Sequence, residues 1–145
     1  MRVDFEQVAD ASQECALIKA TEMTESVKSA MDILMGNNGC LPVVKGGSNI
    51  LLNKTRIYYI ESVDKKTFVY SKDECFECKY RLYELEEMLG GYFARCAKAS
   101  IINLRKIQSI ASDFSGRMEA ELLNGEKLII ARSYVKEIKR RLDLT

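Results

Sequence analysis

Arg95, Lys98, Arg105 and Lys106 fall within residues 88–112, a stretch that holds no Asp or Glu. Cations without carboxylates among them, beside the small residues Ala97, Ala99 and Ser100, make a surface suited to a polyanion. The cations supply the field, and the small side chains let the backbone approach phosphate. The centre of this stretch is Arg95-Cys96-Ala97-Lys98-Ala99-Ser100-Ile101-Ile102-Asn103, and the overall net charge of +1 conceals it.

Other chemistries are poorly supplied. The chain has no histidine, which excludes Ser-His-Asp and Cys-His catalysis and His-based zinc or iron sites. Five cysteines at scattered positions suit free thiols in a reducing compartment. Cys75-Phe76-Glu77-Cys78 is a C-x-x-C ahead of a helix, where a helix N-terminus can lower a thiol pKa. On a strand, however, residues three apart face opposite sides, and no second C-x-x-C completes a zinc site. No metal and no cofactor is expected. Glu84, Glu86 and Glu87 read as the solvated side of a helix that buries Leu82, Leu85 and Leu89. Tyr58, Tyr59 and Tyr70, interleaved with Ile57, Ile60 and Val69, read as sheet packing, and Asn103 as a side chain that ties down local backbone.

The elements that must hold these residues follow from pattern. A chain of 145 residues, 47% apolar and 30% charged, supports one main domain with its own core. It lacks an apolar run long enough to span a membrane, and its start, Met1-Arg2-Val3-Asp4-Phe5, has no secretory signal, so a cytoplasmic location is expected. Residues 1–35 carry seven acidic and three basic side chains, and the remainder 14 and 19, so −4 is followed by +5. Residues 1–40 therefore form an acidic α/β segment. Alternation at Val3 and Phe5 and the run Ala16-Leu17-Ile18 predict two strands. Val27, Ala30, Met31 and Leu34 predict a helix capped by Thr24, and Gly36-Asn37-Asn38-Gly39 a turn.

Residues 41–145 read as mainly β. Runs at 41–44, 50–52, 57–62, 67–70 and 74–78 predict a meander of strands, punctuated by Gly46-Gly47, Asn53-Lys54 and Asp64-Lys65-Lys66. Leu82, Leu85, Met88 and Leu89 predict a helix stopped by Gly90-Gly91. Strands follow at 92–96, 107–111, 118–122 and 127–130, with turns at Ser115-Gly116 and Asn124-Gly125. Tyr134, Val135, Ile138 and Leu142 predict a terminal helix with Ser133 as its N-cap.

This order of pieces resembles the LytTR-type DNA-binding domain of bacterial transcription regulators. The resemblance spans residues 41–144. It is carried by Ile57-Tyr58-Tyr59-Ile60-Glu61-Ser62, by residues 82–89, by Phe93-Ala94-Arg95 through Asn103, by Leu123-Asn124-Gly125-Glu126 and by Ala131-Arg132-Ser133-Tyr134. With an acidic N-terminal segment in place of a receiver domain, the chain is similar to small stand-alone LytTR regulators, which are often encoded beside a multi-pass membrane protein. The resemblance implies a sandwich of about ten short strands with two short helices. It also implies double-stranded DNA as partner, bound as imperfect direct repeats through loops in successive major grooves. The family's base-contacting positions map to the Lys65-Lys66 hairpin, to Lys98 and to Arg132. Where the family commonly has His and Ser, this chain has Ala97 and Ala99.

The expected function is a sequence-specific DNA-binding regulator without catalytic activity or small-molecule substrate. Arg132 would recognise guanine through O6 and N7, Lys65, Lys66 and Lys98 would reach bases or phosphate, and Arg95 and Ser100 would assist them. The N-terminal segment would serve homodimerisation, at least on DNA, or contact with a membrane protein. The alternatives are a protein-interaction module that has lost DNA binding and a thiol redox protein using Cys75 and Cys78.

Overall fold

The computed structural model describes residues 1–34 and 39–144, so the turn expected at Gly36-Asn37-Asn38 lies outside the described residues. The short β-branched runs form ten strands: β1 (Cys40–Lys45), β2 (Ser48–Asn53), β3 (Tyr59–Val63), β4 (Lys66–Tyr70), β5 (Cys75–Cys78), β6 (Phe93–Ala97), β7 (Ser100–Asn103), β8 (Ile107–Ser112), β9 (Met118–Leu122) and β10 (Lys127–Ile130). Among the described residues three α-helices accompany them: α1 (Glu25–Leu34), α2 (Leu82–Leu89) and α3 (Arg132–Arg141). Seven strands make one sheet in the order β2-β1-β5-β4-β3-β7-β6, and β10-β9-β8 make a second. Every pairing is antiparallel.

At β6 and β7 the larger sheet is buried on both faces, whereas β1 and β5 bury one face and expose the other. Ile101 belongs to a core with Leu82, Leu85 and Leu89 of α2, together with Leu41, Ile60, Val69 and Phe76. Its neighbour Ile102 belongs to a second core with Ala120, Leu122 and Ile130 of the smaller sheet and Ile138 of α3. Successive strand residues point to opposite faces, so α2 covers one face while the smaller sheet and α3 cover the other. β7 was not expected as a strand. Its Ile101, Ile102 and Asn103 are all buried, so it shows none of the alternation by which a half-buried strand declares itself.

Two further expectations are corrected. No strand forms at Val3-Phe5 or at Ala16-Leu17-Ile18; residues 1–24 hold one short 3₁₀ turn, Ala11–Gln13, and Phe5 is 93% exposed. Two apolar residues without a neighbouring strand edge bury too little to hold an extended segment. The helix there does form: Thr24 Oγ1 accepts from Val27 N–H at 3.2 Å, and Val27 and Ser29 are buried. Glu25 and Ser29 pack against Gly91, where a Cβ would collide with Glu25 Oε2. At the other end of the chain, Ser133 is not the N-cap of α3. Ala131 occupies that position with extended backbone (φ −65°, ψ 149°), because its N–H is already bonded to Cys96 O at 2.8 Å. The helix therefore begins at Arg132.

Candidate nucleic-acid interface

Backbone pairing decides which loops share an end of the molecule. Ser62 N–H donates to Ala99 O at 2.8 Å, and Glu61 lies opposite Ser100, so the β3–β4 and β6–β7 turns stand side by side. The bond from Ala131 N–H to Cys96 O brings the β10–α3 junction beside the same β6–β7 turn. The β8–β9 loop, residues 113–117, joins them. The Arg132 stem lies over Gly116 so closely that a Cβ there would come within 2.8 Å of Arg132 Cδ, and Gly116 has φ +84°. Lys65, Lys66, Lys98, Ser100 and Arg132 are thus gathered at one end.

Local backbone chemistry presents these side chains. Asp64 and Lys65 both have positive φ, 50° and 67°, so they form a tight two-residue hairpin that lifts Lys65 to its tip. A bulge between Arg95 and Ala97 breaks the β6–β7 register just before Lys98. Lys65, Lys66, Lys98 and Arg132 are exposed, and among the described residues none of them forms an ion pair. Ser100 is half-buried in its strand.

Arg95 is placed differently. Its Nη1 donates to Lys98 O at 2.9 Å, and its Nε lies 3.4 Å from Glu86 Oε1 of α2. With a side chain only 21% exposed, it braces the turn from below. The acid-free stretch is also divided in space. Arg105 lies 3.5 Å over the Tyr92 ring and Lys106 5.1 Å over Tyr58, and Arg141 of α3 donates to the carbonyls of Phe93 and Gly91. Phe93 is the far end of β6, so these cations support packing away from the loops. A cavity of about 230 Å³ between α1 and Tyr92, Asn103 and Arg105 lies at that far end as well.

The other candidate groups serve structure. Asn103 Nδ2 donates to Ile57 O at 2.7 Å, a buried tie to the segment that leads into β3, and its Oδ1 accepts from Arg105 N–H at 3.0 Å, which caps the short turn that follows β7. Tyr59 and Tyr70 stack across β3 and β4 with centroids 4.4 Å apart; burial, then Cys75 and Glu61, push Tyr70 up to about 12. On β5, Cys75 is exposed and Cys78 buried, on opposite faces, and burial raises the Cys78 thiol instead of lowering it. Burial pushes the Cys96 thiol up to about 12. The turn expected at Ser115-Gly116 forms between β8 and β9. It carries Phe114, whose ring is fully exposed.

Comparison with known proteins bears on the family and the fold. The family model described as LytTr DNA-binding domain matches residues 47–143. A relative from Staphylococcus aureus strain NCTC 8325 / PS 47, named as an HTH-type transcriptional regulator, is 28% identical over 94 residues, 65% of this chain and 64% of the relative. Its counterpart from strain MRSA252 is 27% identical over the same length. The chain thus spans somewhat under two thirds of the length of these relatives. Among the described residues no two helices adjoin in sequence, so the matched region here is not built as a helix-turn-helix. A solved LytTr DNA-binding domain from Bacillus cereus superposes with a TM-score of 0.68 and 27% identity, covering 72% of this chain and 96% of that one.

Proposed function

The chain belongs to the LytTr DNA-binding domain family, and on that premise we propose that it is a transcription regulator that reads double-stranded DNA through loops at one end of its sheets. The observation that carries the reading is the convergence of three loops bearing Lys65, Lys66, Lys98 and Arg132 without internal ion-pair partners. Arg132, at the first position of α3, offers a guanidinium that can bond guanine O6 and N7 together. Lys98 rises between Ala97 and Ala99, which keep the turn low and let backbone approach phosphate. Lys65 and Lys66 meet the neighbouring groove face, Ser100 assists at its edge, and Arg95 holds the Lys98 turn in shape. The activity is binding alone.

Short loops at one end favour major grooves on one side of a duplex, with two copies on direct repeats. Residues 41–145 do the reading, and the acidic segment 1–40 serves self-association or a partner protein, the cytoplasmic face of a membrane protein being one. Exposed Phe5, Leu17, Met23 and Leu34 are the apolar groups such a partner would cover. The cytoplasm is the matching location.

The test is a titration of duplex DNA across salt concentrations, using a duplex selected from a random pool and its scrambled form. Three lysines near phosphate, with Arg132 in the groove, give a log–log salt slope of roughly −3 to −4 and a clear preference for the selected duplex. A chain that binds neither duplex, or binds without a salt slope, is a protein-interaction module instead.

A further inference from the structure

Among the described residues no large apolar side chain is more exposed than Phe114, at 112%. It does not sit on a frayed segment. Asp113 Oδ1 accepts from Ser115 N–H at 2.9 Å, Ser115 Oγ at 2.8 Å and Arg117 N–H at 3.1 Å, and Oδ2 accepts from Arg117 Nε at 3.0 Å. Asp113 N–H donates to Arg117 O at 3.0 Å, closing the loop beneath the ring. Ser115, then Arg117, hold the Asp113 carboxyl below its usual range, which favours the charged acceptor that this scaffold uses. A phenyl ring on a well-bonded loop leaves unused a burial that is strongly favourable, and that burial is recovered only against another surface.

The position of the loop identifies that surface. Gly116, two residues from Phe114, lies directly beneath the Arg132 stem, so the loop that carries the ring adjoins the candidate guanine reader, whose junction is bonded through Ala131 N–H to Cys96 O on the strand that leads to Lys98. Charge at this end selects a polyanion, and the apolar group that a polyanionic duplex shows in its major groove is the thymine C5-methyl. We infer that Phe114 is a fourth reading element, packing its ring on a thymine methyl beside the base pair met by Arg132. This rests on the reading of the loop end as a duplex-DNA surface. It adds to that reading an apolar specificity which none of the cations can supply.

Deoxyuridine keeps every hydrogen bond of thymidine and lacks only the methyl, which makes the contact separable. The full chain is titrated with its selected duplex and with versions in which each thymine in turn is replaced by uracil. At one or two positions the parent loses roughly fourfold in affinity, the value of one buried methyl. Phe114→Ala loses at least as much on the selected duplex, and uracil at those positions then changes nothing further. Phe114→Leu falls between, and because the ring is exposed all three proteins melt alike. A Phe114→Ala protein that binds the selected duplex as tightly as the parent removes the loop from the interface. Uracil penalties that persist in Phe114→Ala remove the methyl as its partner. A change in self-association without DNA, at unchanged DNA affinity, assigns the ring to a second copy and ends the proposal. Failure of the parent itself to prefer the selected duplex counts against the wider reading, and it is seen before any variant is made.

Discussion

Arg95 and Arg132 carry the same guanidinium, and what separates them is what lies within reach. Arg95 has Lys98 O and Glu86 beside it, whereas the Arg132 side chain meets Gly116 and then solvent. Sequence alone placed both in the interface, because a lone cation in an apolar context looks the same whether it faces a carbonyl or a phosphate. Arg132→Ala should cost about 1–3 kcal/mol on the selected duplex and little on the scrambled one, since a bidentate base contact carries sequence information. Lys139 lies seven residues along α3, roughly 10 Å from Arg132 along the axis. If Lys139 meets phosphate, Lys139→Ala should weaken both duplexes about equally and reduce the salt slope by about one. Paired titrations, with melting as a check on folding, distinguish the two behaviours. An Arg132→Ala protein that still discriminates as well as the parent passes the lead to Lys98.

Cys96, two residues before Lys98, supports the same turn from within the core and makes a separate prediction. Burial raises its thiol from 9.0 to about 12. The folded state therefore favours the neutral thiol, and the stabilisation is complete below pH 9 and lost as pH rises from 9 towards 12. At pH 10 the unfolded chain has gained about 1.4 kcal/mol by losing this proton. Between pH 7 and 10 the denaturant midpoint of Cys96→Ala should fall less than that of the parent, by about that energy. Equal alkaline declines would mean that the thiol is not buried as described.

At the scale of elements, legibility follows exposure. β1, β4, β5 and β9 alternate buried and exposed residues, and their patterns were readable. β7 is buried on both faces and gives no alternation in the sequence, although its neighbours in the sheet fix where the Lys98 turn stands. The β3–β4 hairpin was found from Asp64-Lys65-Lys66, but its left-handed backbone was not. That conformation suits Asn-Gly, and here Lys65 occupies it at φ 67°. Holding a lysine there costs roughly 1 kcal/mol and keeps its charge at the tip. Lys65→Gly should therefore raise unfolding stability by up to about 1 kcal/mol while weakening duplex binding. A variant that is more stable and binds equally well would show that Lys66, at the first position of β4, makes the contact.

The whole molecule separates charge by distance. α3 runs from the loop end, where Arg132 begins it, to the far end, where Arg141 holds the Phe93 and Gly91 carbonyls, a span of about 15 Å for its ten residues. α1 docks at that far end, on Gly91, and it belongs to the segment with a net charge of −4. At 0.15 M salt the screening length is about 8 Å, so the charges of α1 are felt only weakly at the loops; at 0.01 M it is about 30 Å, and they are felt fully. Removing residues 1–35 should then leave half-site affinity nearly unchanged at 0.15 M and raise it at 0.01 M, because an acidic body no longer repels the duplex. Self-association or partner binding should fall under both conditions, as the exposed apolar groups leave with the segment. A second cut, before Thr24, keeps α1 and its contacts with Gly91, and it shows whether any loss comes from the helix or from the residues ahead of it. If half-site affinity at 0.15 M falls by about tenfold or more, equivalent to 1.4 kcal/mol, while the remainder stays folded and self-associates as before, the acidic segment is part of the reading surface and the division between the two ends is wrong.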